Sequence, residues 1–199
     1  MPLAIQQDQK YTYGHYQDWP DDERWELING IPYAMTAPSR SHQRVVFELS
    51  GQIRNALIDS DGEGYVAPFD VRLPENDEAD ELVETVVQPD LLVVCDQDKL
   101  DEKGCRGAPD WVVEVISPST ALVDLNYKHD LYEKHGVKEY WIVHPLEKWV
   151  MVYVLQDNRL YGKPVFHDMS EPVMAQRMEG LEIDWAFLAD AAQSGKPPL

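Results

Sequence analysis

Trp111-Val-Val-Glu-Val-Ile-Ser117 decides how this chain is read. It is a β-branched apolar run with one carboxylate, Glu114, in its middle. Such a run reads as a strand buried on both faces of a sheet. A carboxylate in that setting needs an ion pair, a proton or a metal to neutralise it. A metal would require a second acid nearby, and the preceding apolar run supplies one. Gln88-Pro89-Asp90 opens Leu91-Leu-Val-Val-Cys95. On adjacent strands, Asp90 and Glu114 would suit a divalent cation. Side-chain alternation places Val112, Glu114 and Ile116 on one face and Val113 and Val115 on the other.

The flanking segments follow from this strand. Asp96 to Pro109 reads as a polar loop containing Gly104 and Gly107. Ser117-Pro-Ser-Thr120 is a helix-entry signature, with Pro118 or Ser119 near the first turn. The helix is expected to run to about His135, with Gly136 just past its end. Leu125, Lys128, Leu131 and Tyr132 share one stripe of that helix, which turns Lys128 toward the sheet. Glu139–His144 reads as a strand. Trp149–Leu155 and Arg159–Phe166 are expected to pair across Gln156–Asn158, and Val173–Ile183 holds a last short strand or turn.

Upstream, Tyr11–Trp19 suggests a short helix. Trp25–Ile28 and Ile31–Met35 flank Asn29-Gly30, a strong hairpin signal for a type I′ turn. Ser41 to about Ser60 is helical in period, with Val45, Val46, Leu49, Ile53, Leu57 and Ile58 on one stripe. Ser39 and Ser41 are both candidate N-caps. Tyr65–Leu73 reads as a strand and Glu75–Glu84 as an exposed acidic loop. Leu82–Val87 extends the strand that begins at Pro89. The order predicts an α/β (α+β) fold: a mixed central sheet flanked by helices, an N-terminal β-hairpin and a C-terminal antiparallel hairpin. One domain over residues 11–190 is expected, with flexible termini at 1–10 and 191–199.

The chain has 199 residues, 17 Lys and Arg against 36 Asp and Glu, and a net charge of −19. A hydrophobic content of 44% with six Trp argues against disorder. No apolar run approaches the roughly 20 residues that span a bilayer. The first ten residues do not read as a signal peptide, so a cytoplasmic protein without a membrane role is expected. Cys95 ends an apolar strand and reads as buried, while Cys105 reads as a loop thiol. Their spacing is not that of a structural zinc site. His-Glu-x-x-His, Gly-x-Ser-x-Gly and Gly-rich phosphate loops are absent. His129 and His135 are not at metal-binding helical spacing and read as surface residues. The acidic balance counts against the basic footprint of a nucleic-acid binder. It leaves room for a local basic groove or for cation-assisted binding.

Asp90, Glu114 and Lys128 together resemble the PD-(D/E)XK pattern of the restriction-endonuclease-like nucleases. That pattern has an acid after Pro, then Glu-x-Lys one strand later. The usual Lys position is Ile116 here, and Lys128 on the next helix would fill the role, as in one branch of the superfamily. A closer resemblance is to the Uma-type putative restriction endonuclease family. It is carried by Glu26-Leu-Ile-Asn-Gly30, Ser41-His42, Pro89-Asp90-Leu-Leu-Val-Val94, Gly107-Ala-Pro-Asp-Trp-Val-Val-Glu-Val-Ile-Ser-Pro-Ser-Thr120, Lys128, and Tyr132 through Gly136-Val-Lys-Glu-Tyr-Trp-Ile-Val143. It spans about residues 11 to 190 and departs at His144, where the family often has Asp before Pro145.

The resemblance implies a metal-dependent phosphodiesterase, a DNA endonuclease. Asp90, Glu114 and the carbonyl of Val115 would hold Mg²⁺ or Mn²⁺. Lys128 would hold the attacking water and offset developing charge. Glu26 would be a further ligand or would position Lys128, and His42 would contact phosphate or the metal shell. The implied substrate is DNA and the implied assembly a homodimer. The alternative, favoured by the charge and by Ile116, is a catalytically silent nuclease-like binding or regulatory module.

Overall fold

The computed structural model describes residues 9–20, 23–116 and 123–188. The helix entry expected at Ser117–Thr120 lies outside these residues. So do the expected flexible ends, apart from residues 9 and 10.

In chain order the elements are α1 (Tyr13–Tyr16), β1 (Trp25–Ile28), β2 (Ile31–Ala34), α2 (Arg40–Ala56), β3 (Glu63–Val66) and β4 (Val71–Arg72). Then follow β5 (Val86–Val87), β6 (Leu91–Val94), β7 (Leu100–Asp101), β8 (Gly104–Arg106) and β9 (Trp111–Val115). A π-helical segment, Val123–Lys128, leads into α3 (His129–His135). β10 (Glu139–His144), β11 (Trp149–Val154), β12 (Val165–Asp168), β13 (Val173–Met174) and β14 (Glu182–Ile183) complete the series.

The fold is mixed α+β with two six-stranded sheets rather than one. The first has the order β2-β1-β5-β4-β8-β7, the second β12-β11-β10-β9-β6-β3, and β13-β14 forms a small third pair. In the second sheet β9 and β10 are parallel and the other neighbours antiparallel. Trp111 to Val115 are all buried, as the opening stretch predicts. Helix α2 lays Val45, Leu49 and Ile53 against Val93, Trp111, Val113 and Trp141 on one face of this sheet. Each such side chain contributes roughly 1.5–3 kcal/mol on burial. The other face, with Val112, Ile116 and Ile142, packs on Leu131 and Tyr132 of α3 and on Val71 and Val87 of the first sheet.

Local signals hold where pairing is local. Asn29 (φ 52°) and Gly30 (φ 79°) both adopt the positive φ of a type I′ turn. Ser39, not Ser41, caps α2, its Oγ accepting from the His42 amide at 3.2 Å. Gly136 ends α3 at φ 88°. The helix α2 stops at Ala56, so Ile58 falls beyond the stripe and is 65% exposed.

Long-range pairing overrides four expectations. Tyr65–Leu73 is not one strand: β3 joins the second sheet and β4 the first, with the break at Ala67-Pro68. Leu82–Val87 does not extend β6, because β5 pairs with β1 and β4 and the chain changes sheets across Gln88–Asp90. The loop expected at 96–109 contains the β7–β8 hairpin, docked on β4. Gly104 permits the docking: at φ 123° a Cβ would lie 2.2 Å from the Asp70 carbonyl oxygen. That docking also reverses the two thiols, burying Cys105 and leaving Cys95 exposed; burial raises the Cys105 pKa to about 11. Finally, β11 pairs with β12 at Trp149↔Asp168 through Val152↔Val165, and only Leu155↔Tyr161 bridges the nearer stretch. Among the described residues no helix is long and apolar enough to cross a membrane.

Candidate active site

Antiparallel pairing of β6 with β9 sets Leu91 opposite Val113. One further step along the register brings Asp90 across from Glu114. Thus the start of one strand meets the end of the other, and both acids border a cleft of about 540 Å³. Glu26 from β1, His42 from α2 and Lys128 from the end of the π-helical segment line the same cleft. All five side chains singled out from the sequence therefore come together, and Val115 adjoins them through its amide.

Lys128 is only 3% exposed, and its Nζ lies 2.8 Å from Glu114 Oε1 and 3.0 Å from Glu26 Oε1. One ammonium thus bridges two buried carboxylates, the arrangement that such groups require in a low-dielectric interior. Tyr132, one turn on, donates its hydroxyl to Glu114 Oε1 at 2.9 Å. Burial, and then the Glu114 charge, hold the Tyr132 phenol well above its ordinary value, so it remains a donor. The Gln88 amide donates to Glu26 Oε1 at 2.8 Å. Leu125, the remaining member of the expected stripe, lies outside the residues whose side chains are described.

Asp90 is held from the other side. Its Oδ2 accepts from the Val115 amide at 2.8 Å and contacts His42 Nε2 at 3.0 Å. His42 Nδ1 is buried without a hydrogen-bond partner among the described residues, which fits the tautomer that carries its proton on Nε2. The Asp90 amide makes a long contact, 3.4 Å, to Glu114 Oε2. Asp90 Oδ1 makes no hydrogen bond among the described residues and is left for the cleft.

No group of three or more His, Cys, Asp or Glu stands as a ready cation cage among the described residues. The donor set nevertheless suits a hard cation that keeps part of its water shell: two carboxylates from neighbouring strands, one with an uncommitted oxygen. Second-tier residues escaped the sequence reading. Gln88 Oε1 accepts from Arg24 Nε at 3.1 Å and from Nη2 at 2.7 Å, and its nitrogen donates to Tyr16 Oη and Asp70 Oδ1. The only signal for Gln88 was its place between an apolar run and Pro89; Arg24 had none.

A family model described as Uma2, putative restriction endonuclease, matches residues 13–186. A solved structure of a putative nuclease belonging to DUF820, from Anabaena variabilis ATCC 29413, is similar at a TM-score of 0.70 and 18% identity, covering 90% of this chain and 97% of that one. At that identity the likeness bears on the fold. No curated protein matches the chain.

Proposed function

The chain belongs to the Uma2 putative restriction endonuclease family, and from that premise we propose that it is a metal-dependent phosphodiesterase, a DNA endonuclease. The observation that carries the reading is the meeting of Asp90, Glu114 and Lys128 at one cleft from three separate elements. Asp90 and Glu114, with the carbonyl of Val115, would hold Mg²⁺ or Mn²⁺. Such a cation activates water and offsets charge on a scissile phosphate. Lys128 orients that water and offsets the negative charge that develops on the phosphoryl oxygens. Glu26 fixes Lys128, Tyr132 fixes Glu114, and His42 fixes Asp90. Hydrolysis forms one P–O bond from water and breaks another, with the proton balance met by solvent.

The test is cleavage of circular single-stranded DNA and of supercoiled plasmid, each with Mg²⁺ or Mn²⁺ present. Asp90→Ala, Glu114→Ala and Lys128→Ala should each abolish it in protein that circular dichroism shows to be folded, although losing Glu114 or Lys128 breaks a buried pair and lowers stability. Cleavage without metal, or full activity in Asp90→Ala, overturns the proposal. Calorimetric titration of Mn²⁺ gives a second check: binding by the wild type should vanish in an Asp90→Asn, Glu114→Gln double variant. The second reading, a silent nuclease-like module, draws on the two ion pairs that already engage Lys128 and on the −19 charge. Absence of Mn²⁺ binding by the wild type would favour it. The proposed assembly is a cytoplasmic homodimer, which light scattering tests.

A further inference from the structure

The cleft contains groups that phosphodiester hydrolysis does not itself require. Arg24, just before β1, lines it. Two of its donors are taken by the neutral Oε1 of Gln88. The amide is fixed in that orientation, since its nitrogen donates to Asp70 Oδ1 at 2.8 Å and Tyr16 Oη at 3.0 Å. No carboxylate pairs with Arg24 among the described residues, although the chain has 36 acids to 17 bases. The other cation of the lining, Lys128, is already paired with Glu26 and Glu114. Arg24 therefore makes no direct ion pair: the Asp70 carboxylate acts on it only across the Gln88 amide, and the guanidinium is suited to a single phosphate.

Two further aromatic side chains, Tyr33 and Phe47, line the same cleft. Phe47, on α2, is 77% exposed. The ring of Tyr33, on β2, lies 6.3 Å from that of Tyr127, itself 51% exposed. A protein that grips duplex DNA neutralises on the order of 6–10 phosphates. This cleft offers Arg24 and Lys128 against Glu26, Asp90 and Glu114, within a chain of net charge −19. Stacking needs no such charge, but it needs base faces that a duplex hides.

We infer that the cleft takes an unpaired nucleic-acid strand, with one phosphate on Arg24 and adjoining bases stacked on Phe47 and on the Tyr33–Tyr127 pair. The inference rests on the reading of the cleft as a phosphodiesterase site and specifies its substrate.

Fluorescence anisotropy tests it, with Mg²⁺ present, using a labelled oligothymidylate of about 12 nucleotides and a duplex of equal length, both with hydrolysis-resistant phosphorothioate linkages so that neither is cleaved. The strand should bind at least about tenfold more tightly than the duplex. Arg24→Gln and Phe47→Ala should each weaken the strand complex about tenfold without lowering the melting temperature. With one phosphate engaged, affinity should change less than about threefold between roughly 50 and 200 mM salt. A duplex bound as tightly as the strand overturns the inference and leaves the nuclease reading standing. Strand binding indifferent to both variants does the same. Binding of neither probe by the wild type overturns both.

Discussion

Lys128 sits between two buried carboxylates, and removing one member at a time exposes what holds the group together. Lys128→Met leaves Glu26 and Glu114 in the interior without their ammonium. Loss of one partner from a buried ion pair costs about 3–5 kcal/mol. Urea unfolding should show that loss, and adding Glu114→Gln should restore part of it by removing one buried charge. A Lys128→Met protein as stable as wild type would refute the triad. His135 gives a second prediction. The sequence reads it as a surface residue, yet its side chain is 8% exposed. Burial lowers its pKa, opposed by Glu75 at 3.6 Å. A base with a depressed folded pKa contributes stability above its unfolded value, near 6.5, and loses that contribution as pH falls toward the folded value. NMR titration should therefore give a His135 midpoint below about 6.5. His135→Gln should lose less thermal stability than wild type between roughly pH 7.5 and pH 5.5. A midpoint at or above the ordinary value would contradict the burial argument. Residues were legible where they violated a pattern. Glu114 interrupts an apolar run and Lys128 an apolar stripe. Arg24 and Gln88 violate nothing, and their contact joins positions 64 residues apart.

Elements whose hydrogen bonds close within a few residues were legible; those defined by distant partners were not. The Asn29-Gly30 hairpin and α2 belong to the first kind. Strands β4, β5, β7 and β8 are two or three residues each and exist because they pair with one another. No local period distinguishes such strands from loops. The cap of α2 links this scale to the cleft. Ser39 Oγ accepts from the His42 amide, and His42 in turn contacts Asp90. Ser39→Ala should cost about 0.5–2 kcal/mol. For a chain of this size each kcal/mol lowers the melting temperature by about 2–4 °C. Ser39→Asp should retain the cap. Ser41→Ala should have little effect, because among the described residues the Ser41 hydroxyl touches only that of Ser39, at 3.0 Å. Equal losses in Ser39→Ala and Ser41→Ala would argue that the cap has been assigned to the wrong serine.

The whole molecule explains why the cleft lies where it does. Two of the chain's passages between the sheets, at Ala67-Pro68 and at Gln88–Asp90, meet at the cleft, and Ala67, Gln88 and Asp90 all line it. A passage between sheets breaks the ladder, so backbone and polar side chains there turn to other partners: the Ala67 amide donates to the Asp90 carbonyl at 3.2 Å and the Gln88 amide to Glu26. Polar groups thus gather at the seam between two apolar layers. That gathering was not legible, since the sequence suggests a single sheet and continuous strands through both crossings. The net charge of −19 acts at the same scale. It surrounds the cleft with a field that repels any polyanion, and salt screens that field. The screening length falls from about 30 Å at 0.01 M to about 10 Å at 0.1 M ionic strength. A nucleic-acid strand approaching Arg24 meets the repulsion before it reaches the arginine. Its association rate constant should therefore rise with ionic strength across this range, opposite to the behaviour of basic nucleic-acid binders. Stopped-flow anisotropy with the same oligothymidylate measures it. A rate constant that falls with salt would mean that a local positive potential at the cleft mouth outweighs the acidic surface, and that more cations than Arg24 guide the approach.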